Sequence, residues 1–418
     1  MKKVLIILLI LLLAFGGYYI YTTKFNVGIP KLNVEEEKID IDKLFIYGTY
    51  LNLSGNLVQD KDLKLVLYNG EFREYSINIK DNYFNLADEI NRGLFLEDIP
   101  IGKYYLFLRS RQVDENGNDV YKYYVLNNTT SYKETTYYTF SNVGNKILIT
   151  SDEEYNTLTF DVTKNTDNDI YDVVIDPGHG GKDGGANKGE YKEADFTMKY
   201  ATDLKQKFEK AGMKVKLTHE EGELPNDEKM PDYGKHGRAV IGHEVNAKFV
   251  LSIHLNSNAY SSVHGLELYT PANINYDFAK DVVKNIIYSM DINYSSNRTN
   301  KVFDGIYTRK FTEKEIESAT EDAKENEKEP YDITTDANYY YMIRETGGIM
   351  TGAYVDDRNE PKVPANPYYN SNVGCEAYLF ELGYLTNESD LNNIINNMDK
   401  YTTAITASFE TIFNKVNS

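Results

Sequence analysis

The stretch Val173–Lys182, which reads VVIDPGHGGK, decides the fold of the second half of the chain. An apolar run that ends in Asp176 and Pro177 leads directly into His179, which stands among glycines. Because an α-helix does not tolerate so many glycines, the stretch predicts a strand that ends in a loop. Such a loop can cradle a phosphate or hold a metal ligand at the end of a strand.

Strand-like runs and helical patterns alternate from residue 167 onward. This alternation predicts an α/β domain over 167–418, with a mostly parallel sheet and flanking helices. The predicted strands are Val173–Asp176, Val215–Thr218, Phe249–Ile253, Leu266–Tyr269 and Ala377–Phe380. The predicted helices are Ala194–Ala211, Lys235–Ala247, Asp277–Met290 and Lys400–Lys415.

Polar residues that can do chemistry follow three of these strands. They are His179, His254 and Glu381, and Glu193 begins the first helix. Because active sites in open α/β sheets form beyond the carboxyl ends of the strands, we expect all four residues at one rim. Two histidines and a carboxylate are a common ligand set for catalytic zinc, and a further carboxylate can transfer protons. The phosphate-loop interpretation is excluded, since no GxxxxGK[ST] pattern is present and no helix starts directly after the glycines.

Four separated motifs resemble the zinc-dependent N-acetylmuramoyl-L-alanine amidases of the type 3 family. In chain order they are VVIDPGHGGKDGGANKGEYKEADFT, FVLSIHLNSN, GLELY and FELGYLTN, and the resemblance covers about Tyr171 to the C-terminus. It implies that His179, Glu193 and His254 bind Zn²⁺ and that Glu381 is the catalytic glutamate. Arg238 matches an arginine of the family, and Arg238 and Asn256 are candidate substrate-binding residues.

The resemblance implies a peptidoglycan hydrolase that cleaves the amide between N-acetylmuramic acid and L-alanine. Zinc would activate the attacking water and Glu381 would act as general base and then as acid. Two alternatives stay open: a cell-wall binding or scaffold protein with an autoinhibited amidase domain, and a zinc hydrolase of another amide. Release of soluble muropeptides from purified sacculi separates the first two functions.

Several residues carry alternative interpretations. Glu190 and Asp195 compete with Glu193 as the ligand, and Glu376 competes with Glu381, although it reads as the polar start of its strand. Arg238 can equally form a structural salt bridge. The remaining candidates are interpreted as follows: His236 and His243 as a second metal site or as packed histidines, His219 and His264 as surface residues, and Cys375 as a small buried side chain.

The N-terminus carries a membrane signal. Lys2 and Lys3 precede an uncharged run, Val4–Thr23, which spans about 30 Å as a helix and matches one hydrocarbon core. We predict that residues 1–23 form a signal anchor that is retained; the alternative is a signal peptide cleaved near Ala14-Phe15-Gly16. Either way the protein is expected outside the cytoplasm, in the bacterial cell envelope.

The region between the anchor and the α/β domain shows a different pattern. Residues 24–42 read as a linker, and residues 43–166 as short alternating strands separated by turns. The strands predict an all-β sandwich, immunoglobulin-like or prealbumin-like. This domain contains no histidine and no candidate catalytic cluster. We interpret it as a spacer or docking module, through which a protein activator could bind.

An insertion at about 309–374 interrupts the α/β pattern. Its charged stretch 311–330 predicts a helix, and a Gly/Pro/Asn-rich tract follows. The bland interpretation is a solvated surface helix. The sharper hypothesis is that part of 309–374 covers the zinc until a partner displaces it. Glutamates such as Glu313, Glu315, Glu317 and Glu321 could then reach the open position on the metal.

Composition limits the remaining function classes. The chain has 418 residues, which predicts two or three domains, and a formal net charge of −19. An acidic chain does not favour nucleic acid as a partner, because phosphate backbones require basic surfaces. The single cysteine, Cys375, excludes an intrachain disulfide and excludes cysteine-rich zinc sites.

Overall fold

The structure is a computed structural model. It describes residues 32, 34–57, 62–88, 92–167, 169–221, 237–272, 274–290, 292–325, 334–351 and 366–417. The predicted anchor, residues 1–23, lies outside these ranges. Within them, no helix is both long and apolar enough to cross a membrane.

The N-terminal region is built from strands, as predicted. They are β1 (Val34–Tyr47), β2 (Tyr50–Asn56), β3 (Leu63–Tyr68), β4 (Phe72–Ser76), β5 (Asn78–Lys80), β6 (Tyr83–Asn85), β7 (Leu94–Phe95), β8 (Gly102–Val113), β9 (Asp119–Asn128), β10 (Glu134–Tyr138), β11 (Asn145–Ser151) and β12 (Leu158–Lys164). The hydrogen bonds of the described strands join them in one sheet, not in two separate ones. Phe84 of β6 and Ile147 of β11 lie far apart in the pairing order but share one apolar core, so the sheet curves back on itself.

The linker prediction for residues 24–42 is wrong from Val34 onward, because β1 begins there. Ile39 and Ile41 are buried, whereas Lys38, Asp40 and Asp42 between and beside them are exposed. This is the period-two alternation of a half-buried strand. The abundance of charged residues on the exposed face concealed the pattern.

The second region contains both strands and helices. The strands are β13 (Val173–Pro177), β14 (Asn187–Lys188), β15 (Tyr191–Lys192), β16 (Val215–Leu217), β17 (Phe249–Asn256), β18 (Glu267–Tyr269), β19 (Lys301–Phe303), β20 (Ile306–Tyr307), β21 (Val373–Gly374) and β22 (Glu376–Tyr384). The helices are α1 (Glu193–Lys210), α2 (Ile241–Glu244), α3 (Asp277–Met290), α4 (Glu313–Glu325), α5 (Tyr341–Arg344), α6 (Glu388–Asn396) and α7 (Met398–Asn414); short 3₁₀ turns cover Gly348–Met350 and Lys415–Asn417. Three predicted long helices are thereby confirmed, but the predicted helix Lys235–Ala247 is wrong in its described part, where only α2 forms.

The central sheet is mixed, which corrects the expected mostly parallel sheet. Its order is β16-β13-β17-β22-β18-β20-β19. The first four strands are parallel, and β18 then pairs with β22 in the antiparallel direction. The connection from Asn256 to Glu267 is short and contains no helix. Because a parallel crossover needs a dozen or more residues, usually with a helix, this connection favours reversal of the chain direction.

The side chains of the sheet alternate between two apolar layers. Val173 and Ile175 of β13 point into a core with α1, α3 and α7, whereas Val174 packs on the opposite side with α2 and α5. Helices therefore cover both faces of the sheet, as an α/β architecture requires. The carboxyl ends of β13, β17 and β22 remain at one edge.

The two regions share an extensive interface. β21 of the second region pairs with β1, and Phe95 and Phe140 of the first region belong to the apolar core of the second. The Asp172 carboxylate accepts hydrogen bonds from the backbone N–H and the hydroxyl of Ser141. Arg92 forms a buried ion pair with Glu376.

Glu97, at this interface, predicts a pH-dependent stability. Its carboxyl is 1% exposed and accepts hydrogen bonds from Tyr137 and from the backbone N–H of Phe140. Burial raises the pKa of Glu97 to about 7, against the attraction of Lys248. The folded-state pKa exceeds the unfolded value, so this stabilisation is full below about pH 4.5 and is lost as the pH rises through about 7.

We therefore expect urea unfolding to require less denaturant at pH 8 than at pH 5. The Glu97 contribution is on the order of 3 kcal/mol, from about 1.4 kcal/mol per pKa unit. In Glu97→Gln, which keeps an acceptor for the Phe140 N–H, this component of the pH dependence should disappear. Identical pH dependence in the variant and the parent protein would contradict the assignment.

Candidate functional site

Three residues predicted as metal ligands lie together at the carboxyl edge of the sheet. His179 follows β13, His254 lies near the end of β17, and Glu193 begins α1. One ligand atom from each residue lies within 4.8 Å of the others. Glu190 and Asp195, the alternatives to Glu193, are both exposed, whereas Glu193 is buried.

Glu193 links the two histidines. Its Oε2 lies 3.0 Å from Nε2 of His179, and its Oε1 lies 3.1 Å from Nδ1 of His254. The backbone N–H groups of Ala186 and Leu255 also donate to this carboxylate. Burial alone would raise the pKa of Glu193, but the hydrogen bonds from the histidines lower it well below its usual range. The site therefore holds an ionised carboxylate between two imidazoles.

Asp183 orients the ring of His179, a role that the sequence analysis did not anticipate. Its Oδ2 lies 2.7 Å from His179 Nδ1, which leaves Nε2 directed toward Glu193. Burial lowers the pKa of His179, but the hydrogen bonds and charges of Glu193 and Asp183 outweigh it and raise the pKa to about 9. A carboxylate on the outer nitrogen is the usual support of a metal-binding histidine. The sequence signal that could have indicated this contact is the short spacing of four residues between His179 and Asp183.

Two glycines leave room for the histidine rings, which answers why His179 stands among glycines. A Cβ on Gly178 would lie 2.4 Å from His254 Cε1, and one on Gly185 would lie 2.6 Å from His179 Cδ2. His179 itself has a φ of 65°, a left-handed conformation that is uncommon for a residue with a side chain. Backbone strain of this kind concentrates at functional sites.

Glu381 lies beside the cluster on the neighbouring strand. It is the direct Cα partner of His254 in the parallel pairing of β17 and β22. Its Oε2 is buried and has no hydrogen-bond partner among the described residues. Burial, together with the negative charges of Glu193 and Glu267, raises the pKa of Glu381 well above its usual range. A buried carboxyl whose Oε2 has no described partner, next to a histidine pair, is suited to exchange protons with a bound molecule.

Glu267 is a second buried carboxylate that the sequence analysis did not single out. It is the Cα partner of Glu381 on the other side, in the antiparallel pair of β18 and β22. Four side chains donate to it: Asn256 Nδ2 at 3.2 Å, Tyr269 at 2.8 Å, Ser295 at 2.6 Å, and Tyr384. These donors stabilise its charge. The sequence signal that could have identified Glu267 is its place as the glutamate of the GLELY motif.

The two candidate substrate-binding residues line the cavity that contains the cluster, but they differ in their contacts. Arg238 is 2% exposed; it donates to the His179 carbonyl at 2.9 Å and lies 3.6 Å from an Asp176 oxygen. These contacts favour a role in positioning the His179 loop. Asn256 is partly exposed and also contacts Glu267. Substrate contact by either residue stays a prediction.

The other candidate residues fall outside the cluster. Glu376 is not merely the polar start of β22, because it is buried and paired with Arg92. His219 is buried beside Thr218, which corrects its placement at the surface. His264 is partly exposed and contacts the Ser262 carbonyl. Cys375 is buried, and burial raises the pKa of its thiol to about 12, so its thiolate is not available as a nucleophile near neutral pH.

The predicted alternative of a second metal site involved His236 and His243. His236 lies outside the described residues. His243 stacks on Tyr368, with ring centroids 4.9 Å apart, and its Nε2 lies 3.2 Å from the Glu345 carbonyl. Burial lowers the pKa of His243 to about 4. Its contacts are those of a packed, neutral histidine.

The insertion reaches the pocket through aromatic residues. The cluster lies in a cavity of about 460 Å³, one wall of which consists of Tyr340, Tyr341 and Met342. The described part of the acidic helix, α4, contributes no residue to the lining. Its Glu315 instead pairs with Arg309 and contacts Thr312. The hypothesis that a glutamate of this helix caps the zinc therefore has no support in the described geometry.

Gly178 and Gly185, which we call the glycine cradle, leave room for the two histidine rings, so we expect a strong effect for Gly178→Ala. The added methyl group would displace the His254 ring from Glu193. We therefore expect the affinity for zinc to fall by at least about 10- to 100-fold, the loss that is usual when a residue supporting a metal ligand is changed. Gly184→Ala is the matched control, because its Cβ would meet only Lys192 Cδ at 3.6 Å. Metal titration monitored by calorimetry measures both variants. Equal affinities would show that the cradle is not needed.

Comparison with known proteins adds independent information. The curated relative probable cell wall amidase LytH of Staphylococcus aureus is 32% identical over 100 residues, which are 23% of this chain and 30% of LytH. The chain thus matches less than a third of the length of that relative. Among solved structures, the amidase AmiC2 of Nostoc punctiforme shows 22% identity and a TM-score of 0.37, covering 59% of this chain and 98% of that one. The catalytic domain of CwlV from Bacillus (Paenibacillus) polymyxa var. colistinus shows 18% identity and a TM-score of 0.38, covering 59% and 99%.

The decisive match is to a family model. The model described as N-acetylmuramoyl-L-alanine amidase, Amidase_3, matches residues 173–411, more than half of the 418 residues. The match includes all four residues that the structure gathers at the carboxyl edge of the sheet. The chain therefore belongs to the Amidase_3 family of N-acetylmuramoyl-L-alanine amidases.

Proposed function

We propose that the protein is a zinc-dependent peptidoglycan amidase that hydrolyses the bond between N-acetylmuramic acid and L-alanine. The observation that carries this proposal is the His179–Glu193–His254 cluster beside Glu381 on the next strand, whose buried Oε2 has no hydrogen-bond partner in the described part of the chain. Family membership supports amidase activity on peptidoglycan, and the chemistry of the donor set supports the metal.

The residues fit a zinc ion. Two imidazoles and one carboxylate are ligands of catalytic zinc, and this set leaves a further position for water or substrate. The glycines at 178 and 185 keep the space beside the rings free. When bound, zinc would polarise the scissile carbonyl and acidify the attacking water.

Glu381 is assigned the proton transfers. Its position beside His254, with an Oε2 that has no partner among the described residues, suits a group that must accept a proton from water and then give it up again. We propose that it takes the proton as water attacks the carbonyl carbon and then delivers it to the leaving nitrogen of L-alanine. Asp183 holds the His179 ring, and Arg238 holds the backbone of its loop.

The wider setting follows from the same proposal. Peptidoglycan as substrate places the protein outside the cytoplasm, and residues 1–23 would retain it at the membrane as a signal anchor. The strand-rich N-terminal domain would position the enzyme on the wall or receive a protein activator. Edman sequencing of membrane-extracted protein should begin at or near Met1 if the anchor is retained, and at Gly17 if it is cleaved.

The main experiment is digestion of purified sacculi by the full chain, with and without zinc and a chelator. Mass spectrometry of the products should find free stem peptides with an L-alanine amino terminus and glycan strands with intact lactyl groups. Cleavage at another amide would establish a different zinc hydrolase. Binding to sacculi without cleavage, even with saturating zinc, would favour a scaffold with a silent amidase domain.

A further inference from the structure

A second cavity lies away from the candidate active site, between the N-terminal region and the α/β domain. Its volume is about 710 Å³, which is within the range of small-molecule sites. Glu376, at the start of β22, lies in its lining, whereas Glu381 lies five residues further along the same strand. At about 3.3 Å per residue, these two residues are about 16 Å apart along the strand.

One wall of this cavity is the outer face of the β1–β2 hairpin. Phe45 pairs with Asn52, and Tyr47 pairs with Tyr50, directly across the two strands. All four residues line the cavity, while Leu44 and other alternating residues face the apolar core. The hairpin therefore presents three aromatic rings and one amide on a single surface.

The facing wall comes from the α/β domain and is also aromatic. Tyr276 and Phe303 lie with ring centroids 5.3 Å apart, and the Lys280 ammonium lies 4.2 Å from the Phe303 ring. Phe303 is 41% exposed although it is a large apolar residue. Aromatic side chains therefore stand on both walls, with the Arg92 guanidinium over the Tyr50 ring, and such a lining favours a ligand with apolar faces.

Asn52 supplies the observation that points to a ligand. Its side chain is only 8% exposed, and its Oδ1 has no hydrogen-bond partner among the described residues. A buried acceptor without a partner destabilises the folded protein, because it has lost its hydrogen bonds to water. An apolar residue of similar size would avoid this cost, so the amide is explained if a bound molecule donates an N–H or O–H to it.

The charges of the lining favour a neutral ligand. The lining contains two cationic and two anionic side chains: Arg92, Lys280, Asp88 and Glu376. Arg92 is paired with Glu376, and Lys280 lies 3.2 Å from Asp277. A charged molecule would gain little attraction from a wall whose formal charges cancel.

We propose that this interdomain cavity binds a neutral N-acetylated amino sugar of a glycan strand. Such a sugar ring has apolar faces that can pack on the aromatic walls, and it carries hydroxyl and acetamido donors for Asn52. The inference deepens the proposed function, since a glycan site beside the amidase domain would hold the polymer whose side chains are cut. An acidic peptide is a less suitable ligand, because the formal charges of the lining cancel and would attract it little.

Isothermal titration calorimetry with the full chain and chitotetraose tests the proposal. This probe consists of N-acetylglucosamine units and contains no lactyl amide, so its binding does not depend on amidase activity. We expect saturable binding to the parent protein and at least about a 10-fold weaker affinity in Asn52→Leu, the scale of a lost buried hydrogen bond. Asn78→Leu, on the exposed strand β5, is the matched control and should bind normally.

Two further variants make the result unambiguous. The melting temperature of Asn52→Leu should equal or exceed that of the parent, because the unpartnered acceptor is removed; if this variant does not fold, Phe303→Ala at the exposed facing wall replaces it. His254→Ala should retain sugar binding. Loss of binding in His254→Ala would place the sugar at the candidate active site and overturn the proposal.

Three other outcomes also overturn it. They are no binding of chitotetraose to the parent protein, equal binding of maltotetraose, which lacks acetamido groups, and binding of a short acidic peptide in place of the sugar. Failure of amidase activity on sacculi with intact chitotetraose binding would instead reject the proposed function alone.

Discussion

His254→Ala is expected to remove the bound metal and to abolish amide hydrolysis. The substitution leaves Glu193 with a single imidazole partner and would leave the proposed metal with two of its three protein ligands. The loss should exceed the 10- to 100-fold range, which is about the cost of removing an outer-shell partner. Because the His254 side chain is only 15% exposed, a thermal melt of the variant checks that its truncation leaves the protein folded.

Metal analysis after dialysis and muropeptide release from sacculi measure this prediction together. His264→Ala is the matched control, because His264 is partly exposed and contacts the Ser262 carbonyl outside the cluster. The control should keep both its metal and its activity. Full zinc occupancy in His254→Ala would remove His254 from the ligand set.

Glu381→Gln is expected to keep the metal but to lose turnover by roughly 10²- to 10⁴-fold, the usual contribution of general acid–base catalysis. The amide preserves the size of the side chain but cannot accept and return a proton at the scissile bond. It also removes a carboxyl whose charge is disfavoured by burial, so stability should not fall.

Single-turnover rates and metal content distinguish this role from a ligand role. Glu190→Gln, at an exposed carboxylate near the cluster, is the control and should react normally. If Glu381→Gln turned over at the parental rate, another carboxylate would have to carry the proton. If it lost its metal, Glu381 would belong to the ligand set instead.

The sequence predicted the elements that carry strong local signals. The helix Asp277–Met290 matches the structure at both ends, because its apolar residues recur at helical spacing. The strands before His179, His254 and Glu381 are apolar runs with a polar residue at the end. Because the carboxyl ends of parallel strands lie at one edge of the sheet, the sequence also predicted that these side chains lie close together.

Features that depend on distant partners could not be read from local patterns. Glu376 is buried because Arg92, 284 residues away in the chain, neutralises it. The direct pairing of His254 with Glu381 depends on a strand register set by the packing of the whole sheet. The glutamate beside them, Glu267, arrives on a strand whose reversed direction the α/β pattern did not reveal.

The two regions are expected to unfold together. β1 pairs with β21, and Phe95 and Phe140 of the first region pack in the apolar core of the second. A boundary near residue 166 separates two sequence patterns, but it does not separate two independent sources of folding energy. Cutting there would uncover apolar rings, remove the Ser141 donors of Asp172 and remove the Arg92 partner of Glu376. Heat or denaturant should therefore disrupt both halves in one cooperative transition, and the catalytic half should owe part of its rigidity to the strands that precede it.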